Sequence, residues 1–295
     1  MPELPEVETI RRGLLPVLQG HRIRRLVQRR PDLRFPLPER FEQQMSGRRI
    51  RSLDRRAKYL IAHLEGDLVL TIHLGMTGRF SIAEPGGANG RQLGEYMHDA
   101  GTDPAHDHVV FEMETGATVT YNDARRFGYM TLIPEAELAG HPHFKALGVE
   151  PLGPDLTAAY LAGAAHGRKT DLKAFLMDQR HVAGLGNIYV CEALHRAGLS
   201  PYRRASVLAR RNGQPAPVTA LLVQEIKAVL EEAIGAGGST LRDYRHTDGS
   251  EGLFQNSFAV YGRDGEPCVR PGCQGKVRRK IQAGRSTFAC PVCQR

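Results

Sequence analysis

The chain has 295 residues, with 40 Lys and Arg against 32 Asp and Glu, a formal charge of +8 and a pI near 9.4. That length exceeds one small core and suits two or three domains, and the basic balance favours a polyanionic partner over a membrane surface. No run of about 18 apolar residues occurs. Acids and arginines fill the first turns, where a secretory leader would carry an apolar core, so the expected compartment is the cytosol, with its cysteines reduced.

The chain opens Met1-Pro2-Glu3-Leu4-Pro5-Glu6. A small residue after the initiator lets Met1 be removed, and the new terminus is then a secondary amine that can attack an aldehyde carbon, giving an iminium that serves as an electron sink for elimination. An α-amino group titrates near pH 8 and a lysine near 10.4, so about 2.5 units, roughly 3.4 kcal/mol, need not come from burial. While Met1 remains, the Pro2 nitrogen is an unreactive tertiary amide. From Pro5, the residues Val7, Ile10, Leu14, Val17 and Leu18 recur at helical spacing behind a first turn rich in acid, which predicts one amphipathic helix beside that terminus.

Short apolar or alternating runs follow at 22–28, 58–64, 68–74, 79–82, 108–113, 118–122 and 127–133, parted by glycine and polar turns. They read as a β-sandwich or barrel carrying the leading helix. Residues 85–105 are rich in Gly, Asp and His without periodicity and read as a surface insertion. His106-Asp107-His108 lacks a third and fourth nearby ligand, so it is not read as a metal site.

Prolines at 134, 142, 151 and 154 mark a linker, after which the strand pattern stops. Segments 155–163, 170–180, 187–197, 204–211 and 217–236 read as helices, with Cys191 as buried filler inside one of them. The run Gly184-Leu185-Gly186-Asn187-Ile188-Tyr189 is a tight turn into a helix, where unpaired N–H groups and the Asn187 amide suit a phosphate or an ordinary helix corner. Residues 239–255 are polar and glycine-bearing, as a mobile loop would be.

The remaining four cysteines stand as Cys268-x4-Cys273 and Cys290-x2-Cys293. Two such knuckles with a β-hairpin between them can close a tetrahedral thiolate site for one structural Zn²⁺. Residues 256–295 carry eight basic side chains against two acids, and four thiolates around Zn²⁺ leave +4, half the formal excess of the whole chain. A small zinc ribbon that lays a basic hairpin on nucleic acid accounts for this, and a ribbon that only braces the fold is the alternative.

Taken together, Pro2-Glu3-Leu4-Pro5-Glu6, Arg55-Arg56-Ala57-Lys58-Tyr59-Leu60, His73-Leu74-Gly75-Met76-Thr77-Gly78, Asp123-Ala124-Arg125-Arg126-Phe127-Gly128, the turn at Gly184 and the four-cysteine ribbon occur in an order that resembles the bacterial formamidopyrimidine-DNA glycosylases. The resemblance implies an α+β multidomain fold: an N-terminal β-sandwich catalytic domain with one leading helix over 1–133, a helical domain with a helix-two-turn-helix over 134–255, and a C-terminal zinc ribbon over 256–295. It implies a monomer that acts on double-stranded DNA containing an oxidised base or an abasic site, excising oxidised purines and cutting by β,δ-elimination through an imine to Pro2. Glu3 is then the general acid/base, Glu6 helps organise the site, and Lys58 is the catalytic lysine. Met76, Arg125 and Phe127 match the triad that fills the gap left by an everted nucleotide, and His73, Asn187, Arg285 and Lys58 the phosphate contacts. Residues 239–255 match the loop that folds over the everted base. Related enzymes that share the Pro-Glu start but prefer oxidised pyrimidines usually differ at the triad, which favours purines; a non-catalytic zinc-ribbon DNA-binding protein is the remaining alternative.

Overall fold

Helix α1 (Leu4–Leu18) starts where Pro5 and the flanking acids predict, and it buries Val7, Ile10, Leu14, Val17 and Leu18 on one face. The computed structural model describes residues 2–85, 91–93, 103–238 and 254–295. Most of the expected insertion at 85–105, and residues 239–253 of the loop expected at 239–255, therefore lie outside the described residues. Two units arise from the chain: Met1–Lys145 with Ala236–Leu253, and Ala146–Gly235 with Phe254–Arg295.

In the first unit α1 is followed by β1 (Ile23–Gln28), the short α2 (Phe41–Met45), β2 (Ile50–Arg56), β3 (Tyr59–Leu64), β4 (Leu68–His73), β5 (Arg79–Ala83), β6 (Arg91–Leu93), β7 (Asp107–Met113), β8 (Thr118–Asn122) and β9 (Tyr129–Pro134). They form two antiparallel sheets, ordered β1-β7-β8-β5-β6 and β2-β3-β4-β9. The apolar residues of α1 share one core with Leu53, Leu60 and Ile72 of the second sheet and Leu26, Phe80, Phe111 and Val119 of the first. Alternation decides which face is inward: Leu60, Ala62 and Leu64 on β3 are two apart and all buried.

Register places the ends of three strands side by side. Tyr59 pairs with His73, and His73 with Tyr129. One end of this sheet therefore gathers the Ala57-Lys58 turn before β3, the 74–78 segment after β4 and the 123–128 segment before β9.

Strand β2 is absent from the expected set. Its register shifts between Ile50 and Ser52, so its buried residues Ile50 and Leu53 stand three apart rather than two, among four charged side chains. Strand β6, three residues long, lies inside the stretch read as an insertion and is too short to show alternation.

The second unit holds α3 (Ala158–Ala165), α4 (Leu172–Met177), α5 (Asn187–Arg196), α6 (Pro217–Gly235) and a hairpin of β10 (Arg278–Gln282) with β11 (Arg285–Ala289). The helix expected over 204–211 is only a 3₁₀ turn, Ala205–Leu208. Its backbone is claimed from outside: the Ala205 N–H donates to Thr170 O at 2.8 Å, and Ala209 bridges to Pro215. Cys191 is buried against Val260, Val277 and Phe288. Among the described residues no helix is long and apolar enough to cross a membrane.

Candidate active site

Pro2 and Glu3 are buried at the start of α1, with Glu3 as its extended N-cap residue. The Glu6 carboxylate, one turn on and also buried, accepts the Glu3 N–H at 2.9 Å. That bond satisfies an orphan donor at the helix start and fixes the chain next to the terminus. Gly238, at φ +91°, lies against Glu6: a Cβ there would stand 3.2 Å from Oε1.

The helix is pinned by Glu8. Its carboxylate accepts from Arg11 at 2.8–2.9 Å, from Arg12 at 2.9 Å and from Arg55 of β2 at 3.3 Å. Burial pushes the Glu8 carboxyl up, but these hydrogen bonds and the Arg11 and Arg55 charges outweigh it and hold it below the usual range. Sequence reading passed over Glu8, although arginines three and four residues on were a signal for it.

Lys58 is buried in the two-residue β2–β3 turn, after Ala57 at φ +51°. Its charge is felt by His73, whose pKa falls to about 4, first through burial and then through Lys58, Arg34 and His143. The Gly75 N–H donates to His73 Nδ1 at 3.1 Å. A neutral His73 with Nδ1 occupied as acceptor carries its proton on Nε2, as a donor. The ring stacks on Tyr129 at 5.1 Å and 10°, and the Tyr129 and Tyr59 hydroxyls are 2.7 Å apart. Aromatic packing thus holds the imidazole in place.

The two segments beyond these strands carry the proposed wedge. Met76 is half-buried, while Arg125 and Phe127 are exposed, Phe127 at 43% with the Arg125 guanidinium 4.7 Å above its ring. The segments touch through Gly75, where a Cβ would come within 2.2 Å of the Phe127 backbone, and through the Arg125 N–H, which donates to Thr77 Oγ1 at 3.1 Å. His108 is occupied here too, its Nε2 lying 2.9 Å from Asp123 O.

Asn187 and Arg285 belong to the second unit. Gln179 shapes the turn ahead of α5: its amide donates to Met177 O and Leu185 O, and its carbonyl accepts the Gly184 N–H at 2.7 Å, with Gly184 at φ +87°. Asn187 Nδ2 donates to Ser286 O at 3.0 Å and to Tyr261 Oη at 3.3 Å, joining the start of α5 to the hairpin. Buried Lys173 on α4 adds a bond to Ser286 O at 3.1 Å and one to Thr287 Oγ1 at 2.6 Å. Arg285 is exposed next to the Ala283-Gly284 turn, where both residues have positive φ, as a two-residue type I′ hairpin requires.

The four ribbon cysteines converge. Their sulfurs all lie within 4.8 Å of one another, with Cys268–Cys293 and Cys273–Cys290 at 3.7 Å. A tetrahedral ion with Zn–S bonds of about 2.3 Å sets its sulfurs about 3.8 Å apart, so the residues fit one structural Zn²⁺. Burial pushes the Cys268 and Cys293 thiols up, Cys293 to about 12, whereas the N–H groups of Cys293 and Val292 and the Cys273 and Cys293 thiols outweigh burial at Cys290 and bring it down to about 7. Helix α5 supports this ribbon from one side. The Glu192 carboxylate accepts the N–H groups of Ala259, Val260 and Tyr261 at 2.8–3.0 Å, and His195 Nε2 lies 3.3 Å from Cys268 Sγ. Burial, then Arg270, Arg196 and Arg263, lower the His195 pKa to about 4, so the imidazole beside that sulfur is neutral.

Residues 1–130 match the model of the formamidopyrimidine-DNA glycosylase N-terminal domain, and residues 147–245 match that of its H2TH domain. The chain is 58% identical to the formamidopyrimidine-DNA glycosylase of Methylobacterium radiotolerans, covering 100% of this chain and 99% of that one. It is likewise 58% identical to that of Azorhizobium caulinodans, covering all of both chains. Among solved structures it resembles Lactococcus lactis Fpg in complex with DNA containing an abasic site, with TM-score 0.82, 32% identity and all of both chains covered. Thermus thermophilus MutM (Fpg) matches with TM-score 0.79 and 39% identity, over 99% of this chain and 98% of that one. The chain therefore belongs to the formamidopyrimidine-DNA glycosylase family, bifunctional DNA glycosylases and abasic-site lyases that act on oxidised purines.

Proposed function

We propose that Pro2, once Met1 is removed, is the nucleophile of a glycosylase that excises 8-oxoguanine and formamidopyrimidines from duplex DNA. The observation that carries this reading is the buried Pro2-Glu3 start of α1, with Glu3 held by Glu6. The Pro2 nitrogen attacks sugar C1′, the damaged base leaves, and the ring opens to an iminium. Glu3, adjacent in sequence, moves the protons of base departure and of the β- and δ-eliminations that cut the strand on both sides. Lys58 supplies a cation near the departing base and its phosphate.

An everted nucleotide leaves a gap, which Met76 and Phe127 enter as wedges while Arg125 hydrogen-bonds the orphaned cytosine. Lys58, His73, Asn187 and Arg285 hold phosphates, that at Asn187 replacing the longer bond to Tyr261. DNA containing an abasic site or a Fapy-dG lesion in the Lactococcus lactis complexes supports this substrate class. The division into a catalytic domain over 1–133, a helix-two-turn-helix domain over 134–255 and a ribbon over 256–295 assigns chemistry to the first part and DNA grip to the others. Bacterial relatives support action in the cytosol, and a chromosomal DNA substrate would place the enzyme at the nucleoid.

Borohydride reduction tests the proposal. A covalent adduct should form with duplex DNA holding 8-oxoguanine opposite cytosine and disappear in Pro2→Gly; no adduct on any oxidised-base duplex would leave only a DNA-binding protein. Faster excision of thymine glycol than of 8-oxoguanine would move the substrate to oxidised pyrimidines. Intact mass shows whether Met1 is gone.

A further inference from the structure

We infer that Asp123 is a positioning residue that locks the two wedge segments into one rigid insert, so that the side chains of Met76, Arg125 and Phe127 enter the duplex together. This rests on the wedge reading above and concerns what holds the wedge.

Asp123 is 0% exposed. A carboxylate removed from water in this way is costly unless its oxygens are satisfied. One oxygen accepts the Thr77 hydroxyl, and the other accepts the Gly128 N–H at 2.8 Å and the Tyr121 hydroxyl at 3.2 Å. Thr77 Oγ1, while donating to Asp123, accepts the Arg125 N–H at 3.1 Å. The Asp123 main chain is tied as well: its N–H donates to His106 O at 3.0 Å, and its carbonyl accepts Arg126 N–H at 3.2 Å.

The arrangement matters because of where the wedge residues fall. Met76 precedes Thr77, Phe127 precedes Gly128, and Arg125 donates its own N–H to the network. Each wedge residue is thus at most one residue from a group that Asp123 or Thr77 holds. Phe127 and Arg125 are exposed and pack on each other, and Met76 is only half-buried. Backbone anchors, rather than core contacts, therefore fix them in place.

Close packing removes the room to slide. A Cβ at Gly128 would lie 1.9 Å from Tyr121 Oη, one at Gly78 would lie 2.4 Å from the same atom, and Gly75 abuts the Phe127 backbone. Arg126 sits at φ +55°, a left-handed conformation that a non-glycine residue keeps only when its surroundings hold it. A wedge that unstacks a base pushes back on its own loop, and a loop free to yield would lose the work of insertion. Here segments from two strand connections share one buried anion, so the load on either is borne by both.

The test separates insertion from chemistry. Thr77→Val keeps the side-chain shape while removing the donor to Asp123 and the acceptor for Arg125. It should lower single-turnover excision of 8-oxoguanine from duplex DNA about a hundredfold, the scale of a roughly 1 Å misplacement. Borohydride trapping on single-stranded DNA with a preformed abasic site, which needs no eversion, should stay at the wild-type rate. Thr77→Ser should restore duplex excision, and 2-aminopurine beside the lesion should report slowed unstacking in Thr77→Val. Asp123→Asn should act in the same direction if it folds. Thr77→Val at the wild-type excision rate, or equal losses on duplex and single-stranded substrates, would overturn the inference. Phe127→Ala and Met76→Ala serve as controls: both leaving duplex excision unchanged would show instead that the wedge reading itself is wrong, and the inference would go with it.

Discussion

At the scale of single residues, the site works with groups whose charge is set by burial. His73 titrates near 6.5 when exposed and at about 4 in the fold. Between those values the unfolded chain binds more protons than the native one, so stability rises with pH across that window and is lost on acidification. Taking the protein from pH 7 to pH 5 should cost about 2 kcal/mol through His73 alone. Urea unfolding of wild type and His73→Gln at both values checks this, because the variant should lose that share of the pH dependence. In the phosphate-binding role proposed for it, a neutral His73 would donate a hydrogen bond without adding a counter-charge, unlike Lys58.

Among the elements, α5 links the most functions. Asn187 at its start holds the hairpin, Glu192 in its middle gathers three N–H groups of the segment leading to the ribbon, and His195 near its end touches a ribbon thiol. Glu192→Ala leaves those buried donors without their acceptor and should cost about 3–5 kcal/mol in denaturant unfolding, whereas Glu192→Gln keeps one acceptor oxygen and should cost less. Removing the metal with a chelator, or Cys290→Ser, should unfold the ribbon and weaken duplex binding; unchanged affinity with zinc lost would leave the ribbon a brace.

The same helix shows what could be read in advance. Its limits and the four-cysteine closure were legible because periodicity and knuckle spacing are local. The use of Glu192, Lys173 and Gln179 was not, since each acts on backbone groups far along the chain, or around a turn, that carry no side-chain signature. Strand β2 was hidden by a register shift, and the 204–211 helix was overridden by partners outside it. Lys58 and Phe127 were legible only through family resemblance, because a single lysine or phenylalanine between strands has no sequence pattern of its own.

For the whole molecule, the formal charge of +8 predicts binding that weakens steeply with salt. The contacts should divide by charge. Lys58→Ala or Arg285→Ala should each reduce the slope of log affinity against log salt by about one unit. His73→Gln should lower affinity at every salt concentration and leave the slope unchanged. Fluorescence anisotropy on one lesion duplex over a salt series would measure all three, and a His73→Gln slope that fell by a full unit would contradict the neutral imidazole.

Gly238 contributes no functional group, yet its φ of +91° and the 3.2 Å that a Cβ there would leave to Glu6 Oε1 set a limit on evolution at that position. Any side chain there would press on the carboxylate that holds the Glu3 N–H, and through it on the angle at which Pro2 meets its substrate. A substitution with no chemistry of its own would thus be felt as a slower first step. If Pro2 is the nucleophile as proposed, the smallest residue in the chain sets a tolerance on its alignment, and Gly238→Ala should lower the trapping rate while leaving lesion-duplex affinity close to wild type.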